Sequence, residues 1–207
     1  MTSVLWVYPN TGFGAVDTVN RWELTQFDDA LETRTIDQVV SGGDITGDGH
    51  PDLLARVGDS VWLLVGSPLG YIDEAYPLAD SGWARRTLVA PGDMTGDGRA
   101  DLLVRDDADG KLYLYRGEAD EDTGGTLPVS LVTGTPGVYG NRSWQNNSRP
   151  MIIAPGDADA DGVTDLWATT ADGDSGDLLF YPTRPGSFTD GDPVKVGWGY
   201  TSIGAIA

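Results

Sequence analysis

The sequence predicts an all-β fold in which one four-stranded unit repeats along 207 residues. Three observations predict it. Runs of four to seven β-forming residues alternate with turns rich in Gly, Pro and Asp. One acidic stretch recurs three times, as GDITGDGHPDLLAR from Gly43, GDMTGDGRADLLVR from Gly92 and GDADADGVTDLWAT from Gly156. With 29 Gly and 12 Pro punctuating the chain, long helices are not expected.

Taken in order, Ser3 to Pro9 (SVLWVYP) is a strand of the aromatic kind that returns in each unit. An insert around RWELTQFDDALETRT follows, in which ELTQFDDALE could hold a helical turn or two. Short apolar strands then precede each acidic stretch: DQVVSG, TLVAPG and MIIAPG. DLLAR, DLLVR and DLWAT leave it. A polar turn leads to the aromatic strands SVWLLVG, KLYLYRG and DLLFYPT. Asp109-Gly110 and Asp172-Gly173 mark two of these turns as hairpins. DGDSGD, Asp172 to Asp177, looks like a further acidic loop but aligns with the DADGK turn, and is read as a turn. A final segment closes each unit. The first aspartates, Asp44, Asp93 and Asp157, are 49 and 64 residues apart. The surplus falls mostly in GEADEDTGGTLPVSLVTGTPGVYGNRSW, read as a loop insert. GWGYTSIGAIA, Gly197 to Ala207, repeats GWARRTLVAPG and reads as the first strand of another unit. Four-stranded units of about 50 residues are the blades of a β-propeller. Residues 1–207 are therefore expected to form one propeller array, about four blades' worth, closed on itself or completed by other copies or a longer parent chain.

The acidic loops span 44–52, 93–101 and 157–165. Counting from the first Asp, position 1 is Asp44, Asp93 or Asp157, and position 3 is Thr46, Thr95 or Asp159. Position 5 is Asp48, Asp97 or Asp161, and position 6 is always Gly. Position 7 is His50, Arg99 or Val163, and position 9 is Asp52, Asp101 or Asp165. Ten aspartates packed this way repel one another unless something offsets them. Ca²⁺ takes six to eight hard oxygens in a flexible shell, and alternate residues of a tight loop can aim oxygens at one point. His, Arg and Val at position 7 share no side-chain chemistry, but each offers a main-chain carbonyl. The plainer reading is a set of Asp-rich turns held by side-chain-to-backbone hydrogen bonds. Threefold recurrence favours the metal. A helix-loop-helix calcium hand is excluded, since position 12 is Ala55, Val104 or Ala168 rather than Glu.

These loops, with LWVYP, VWLLVG and LYLYRG as strands, resemble the FG-GAP/VCBS repeat family of calcium-bearing propeller blades. The resemblance covers nearly the whole chain. It implies that each loop joins the first two strands of a blade and holds one Ca²⁺, with ligands at positions 1, 3, 5, 7 and 9.

The formal net charge is -19, from 32 acidic and 13 basic residues, which opposes binding to nucleic acid or to an anionic membrane. Three Ca²⁺ would bring it to -13. With no Cys, disulfides and thiolate metal sites are excluded. No apolar run is long enough for a transmembrane helix. MTSVLWVYPN lacks the basic and apolar regions of a signal peptide. Extracellular modules use Ca²⁺ sites with Kd of about 0.1–1 mM, which cytosolic calcium would leave empty, so an extracellular or surface location is expected.

His50 is the only histidine and sits inside a loop, which opposes Ser-His-Asp or Cys-His catalysis. The acidic run Glu118, Asp120, Glu121 and Asp122 shows no matched acid and base roles. Of the seven Trp, Trp6 and Trp62 lie on the aromatic strands, with Tyr113 in the equivalent place, and should pack between blades. Trp22, Trp83, Trp144 and Trp198 lie near blade edges, where rings either pack between blades or stack on sugars. The expected function is a non-catalytic, calcium-binding recognition module for a glycan or a protein partner. The alternatives are a polysaccharide-acting enzyme or its appendage, and a structural, self-assembling module.

Overall fold

The computed structural model describes residues 4–12, 15–24, 31, 34–140, 142–171, 176–184 and 191–200. It is all-β, with strands paired antiparallel throughout. Strands β1 (Leu5–Val7) and β2 (Trp22–Leu24) form a two-stranded sheet. Sheet I follows as an up-and-down meander of β3 (Gln38–Gly43), β4 (Asp52–Val57), β5 (Ser60–Gly66) and β6 (Ile72–Ala79). Sheet II begins with β7 (Arg86–Gly92), β8 (Asp101–Asp106) and β9 (Lys111–Tyr115). A small hairpin, β10 (Glu118–Ala119) with β11 (Thr126–Leu127), and a helical turn α1 (Ser130–Thr133) intervene before its fourth strand, β12 (Gly137–Tyr139). Sheet III is β13 (Ile152–Gly156), β14 (Asp165–Thr169), β15 (Asp177–Tyr181) and β16 (Val194–Trp198).

Every strand expected around the three acidic loops is present, because each segment is a short apolar run bounded by turn residues. The loop insert is more ordered than expected. Ser130 Oγ donates to the Leu127 carbonyl and accepts from the Glu118 N–H, so one hydroxyl ties the hairpin to the helical turn. Most of the helical turn expected in ELTQFDDALE lies outside the described residues, and Glu23 and Leu24 belong instead to β2. Residues 201–207, expected to start another unit, also lie outside them. β14 and β15 pair directly on either side of DGDSGD, whose residues 172–175 lie outside the described residues.

The middle strands of sheets I and II, β4, β5, β8 and β9, are covered on both faces, which is why they read as near-continuous apolar runs rather than alternating ones. Three cores result. Leu24, Ala55, Trp62, Leu64 and Ile72 lie between the N-terminal sheet and sheet I. Leu54, Leu63, Leu88, Leu102, Val104 and Tyr115 lie between sheets I and II. Leu103, Leu112, Leu114, Leu166, Ala168 and Tyr181 lie between sheets II and III. β7 runs beside both β3 and β13, so the first strands of successive sheets are neighbours. Each acidic loop therefore joins the first and second strands at one end of its sheet.

Two arginines, Arg105 buried and Arg56 partly exposed, tie successive sheets together. Arg105, one position after the apolar run of β8, donates to the Arg149 carbonyl, Thr87 Oγ1, Asn146 Oδ1 and Asp107. Arg56 stands at the same place in sheet I and reaches the Ala84 carbonyl and Asp37. Both bridge to the connection that leads into the next sheet.

Candidate metal centres

Each acidic loop follows a register shift at the end of the first strand, after which Gly43 faces Asp52, Gly92 faces Asp101 and Gly156 faces Asp165. In the first two loops the residue after the first Asp points inward: Ile45 and Met94 are buried in the cores, anchoring these loops to the sheets, whereas Ala158 of the third is exposed. Position 6 has positive φ in all three loops, as its invariant glycine leads one to expect. Position 4 has positive φ as well. Gly47 and Gly96 fill it in the first two loops, but Ala160 fills it in the third, with φ of 62°. An L-residue in this conformation costs about 1–2 kcal/mol. Ala160→Gly is therefore expected to stabilise the chain by about 0.5–1 kcal/mol net of glycine's greater unfolded freedom. Urea unfolding reads this as a higher midpoint at unchanged slope; a lower midpoint would contradict it.

The aspartates divide into two kinds. Those at position 1 are exposed and close the loop: Asp44 accepts the N–H groups of Gly47 and Gly49, Asp93 those of Gly96, Asp97 and Gly98, and Asp157 those of Asp161 and Gly162. Position 5 adds a tighter turn, with Asp48, Asp97 and Asp161 accepting from the N–H of His50, Arg99 and Val163. Those at position 9 are buried. One oxygen of Asp52 accepts from Ile45 and Thr46 N–H, both at 2.9 Å, and the other from Gly66 N–H at 2.9 Å. Asp101 repeats this with Met94, Thr95 and Gly117, and Asp165 with Ala158, Asp159 and Thr183. Each buried carboxylate thus staples its loop to the far end of the third strand. Sequence reading favoured metal for these residues over turns held by side-chain-to-backbone hydrogen bonds, and hydrogen bonds of that kind are what these carboxylates make. The threefold recurrence of a polar residue at the mouth of an apolar strand was the available signal.

Burial pushes the Asp101 carboxyl up; the N–H groups of Gly117, Thr95 and Met94 pull it down, and Asp97 adds repulsion. Asp159 also sits above the ordinary carboxylate range, first through loss of water and then through repulsion from Asp165, Asp161 and Asp157. Ligand atoms of Asp157, Asp159 and Asp165 lie within 4.8 Å of one another. In the first two loops a threonine replaces Asp159, and the Thr46 and Thr95 hydroxyls are buried with no hydrogen-bond partner. A buried hydroxyl that loses water without a partner costs about 1–3 kcal/mol. Hard oxygens left free, or crowded by like charge, fit a hard divalent cation.

The loops also differ in their surroundings. The β10–β11 hairpin lies over the first one: Thr126 N–H donates to the Ile45 carbonyl at 2.8 Å. Gly125 sits so close that a β-carbon there would stand 2.5 Å from the Thr46 carbonyl oxygen. Glu118, Glu121 and Asp122 of that hairpin are exposed, in keeping with a solvated acidic run.

The tryptophans do not act alike. Trp83 and Trp144 are 2% and 1% exposed and pack against Tyr115 and Tyr181, with ring centroids 5.8 and 4.7 Å apart. Neither offers a face to a sugar, so the stacking role considered for them is corrected to core packing. Trp22 is half-buried, with its indole N–H on the Gly70 carbonyl and its ring beside Tyr71. Trp198 is 75% exposed. Trp62 is buried between sheets as expected and Tyr113 is half-buried, but Trp6 is 43% exposed, with the Arg21 guanidinium 4.7 Å over its ring.

Among the described residues, no helix is long and apolar enough to cross a membrane. No curated protein matches the chain. The family model for FG-GAP-like repeats matches residues 44–104 and again 93–168, more than half of the sequence and all three acidic loops. The chain belongs to the FG-GAP-like repeat family.

Proposed function

We propose that this chain is a non-catalytic recognition module that works outside the cell, its sheets pinned by Ca²⁺ and its surface presented to a glycan or protein ligand. The observation that carries the reading is the state of the loop oxygens. Thr46 and Thr95 bury hydroxyls without partners, and the third loop gathers Asp157, Asp159 and Asp165. In this reading Asp44, Thr46, Asp48, the His50 carbonyl and Asp52 hold the first ion. Asp93, Thr95, Asp97, the Arg99 carbonyl and Asp101 hold the second. Asp157, Asp159, Asp161, the Val163 carbonyl and Asp165 hold the third. The ion supplies positive charge where each loop has a surplus of negative charge. The backbone turns made by positions 1 and 5 keep the oxygens in place without it.

FG-GAP-like repeats are generally non-catalytic modules, which supports binding over turnover. The dependence on abundant calcium supports an extracellular location. For the ligand, Trp198 and the half-buried Trp22 beside Tyr71 are the aromatic surfaces that could stack on a sugar. The test is a glycan array probed with the chain in excess calcium. Binding lost on Trp198→Ala or Trp22→Ala, with no release of shortened saccharide, supports the module. Cleavage of a polysaccharide would overturn the non-catalytic reading; glycan binding indifferent to both substitutions would place the sugar elsewhere on the surface, and no glycan binding would point to a protein partner.

A further inference from the structure

The repeat shows what each face of a sheet is for. In sheet I, the cross-strand row Val40–Leu54–Leu63 faces sheet II, and Leu54 and Leu63 are buried by it. In sheet II, the equivalent row Val89–Leu103–Leu114 faces sheet III and is buried in turn. In sheet III the same row is Ile153–Trp167–Phe180–Val194. Here Ile153, Trp167 and Phe180 are only half-buried, Val194 is 53% exposed, and the Trp167 indole N–H has no partner. This face is built like the two that a following sheet covers.

The opposite end of the array carries the matching half. Leu5–Trp6–Val7–Tyr8 aligns with Leu112–Tyr113–Leu114–Tyr115 and with Leu178–Leu179–Phe180–Tyr181. Leu5 and Val7 pack on sheet I. Trp6 and Tyr8 point the other way, 43% and 39% exposed, with Val4 beside them. The equivalents of Tyr8, Tyr115 and Tyr181, are buried, and those of Trp6, Tyr113 and Leu179, are half-buried, because they lie against the preceding sheet. The N-terminal sheet therefore exposes the surface that elsewhere in this chain covers a row like Ile153–Trp167–Phe180.

We propose that copies of this chain associate head to tail, the outer face of sheet III in one copy packing on the Val4–Trp6–Tyr8 face of the next. The contact continues the two inter-sheet interfaces already inside the chain. It is heterologous, so it closes into a ring or extends as a filament depending on the rotation per copy. Because one chain exposes both halves, each interface consumes one of each.

The test uses the full chain with Trp6→Glu and Val194→Glu, both at exposed positions, in sedimentation velocity across a broad concentration range. The unaltered chain is expected to gain mass with concentration. Each substitution alone should weaken association at least tenfold, since it removes apolar contact and forces the interface to bury a carboxylate. Mixing the two variants should restore a dimer, because each keeps one intact face. Circular dichroism confirms that each variant folds; if either does not, Tyr8→Glu or Phe180→Ser replaces it. A chain monomeric at every concentration would overturn the proposal. So would association that survives both substitutions, or a mixture that forms no dimer.

Discussion

Replacing Asp101 by Ala is expected to destabilise the chain by about 3–6 kcal/mol, a large share of the 5–15 kcal/mol that holds a typical domain folded. The substitution strands three buried N–H groups, those of Met94, Thr95 and Gly117. Each costs about 1–3 kcal/mol when left unpaired. Asp52→Ala and Asp165→Ala should behave alike, since each of those carboxylates also accepts three N–H groups. Asn at these positions keeps one acceptor oxygen and should cost less than Ala. Asp122→Ala, on the exposed hairpin, is the control and should change stability by less than about 0.5 kcal/mol. Urea unfolding measures all of these. The decisive comparison repeats the measurement with a chelator. The penalty at Asp101 should persist, because the stranded N–H groups do not depend on an ion. A penalty that vanished with the chelator would show Asp101 acting through the metal alone.

On the proposed function, removal of calcium is expected to produce the second large effect. An ion that binds only the folded state adds about 2.7 kcal/mol at a hundredfold excess over its Kd. Three such loops contribute about 8 kcal/mol. For a chain of this size, that corresponds to a fall of about 15–30 °C in Tm when a chelator is added. Mg²⁺ should not restore the loss, because it demands a smaller, stricter octahedral shell. Superimposable melting curves with and without chelator would contradict the account.

The fold was legible because it repeats. A strand, an acidic turn and two more strands recur in one order, so each copy supports the assignment of the others. Local chemistry sufficed for the invariant glycine at position 6 and for the hairpin turn at Asp109-Gly110. What failed were properties set by distant partners. Trp83 and Trp144 stand at loop positions in sequence, yet Tyr115 and Tyr181, more than 30 residues on, enclose them. Conversely, Trp6 occupies an aromatic strand that elsewhere is covered, but its outward face carries the Arg21 guanidinium and stays 43% exposed. The stapling role of Asp52 was hidden because Gly66 meets it only once the third strand has folded back. The helical turn at Ser130–Thr133 is too short for any periodic signal.

The account rests on a divalent ion offsetting the aspartates of each loop. The most direct test is calorimetric titration of the metal-stripped chain with Ca²⁺. Three ions per chain are expected, falling to two with Asp44→Ala, Asp93→Ala or Asp157→Ala, since each removes the first oxygen donor of one loop. No chelator-sensitive heat, or a stoichiometry that none of the three substitutions lowers, would contradict it.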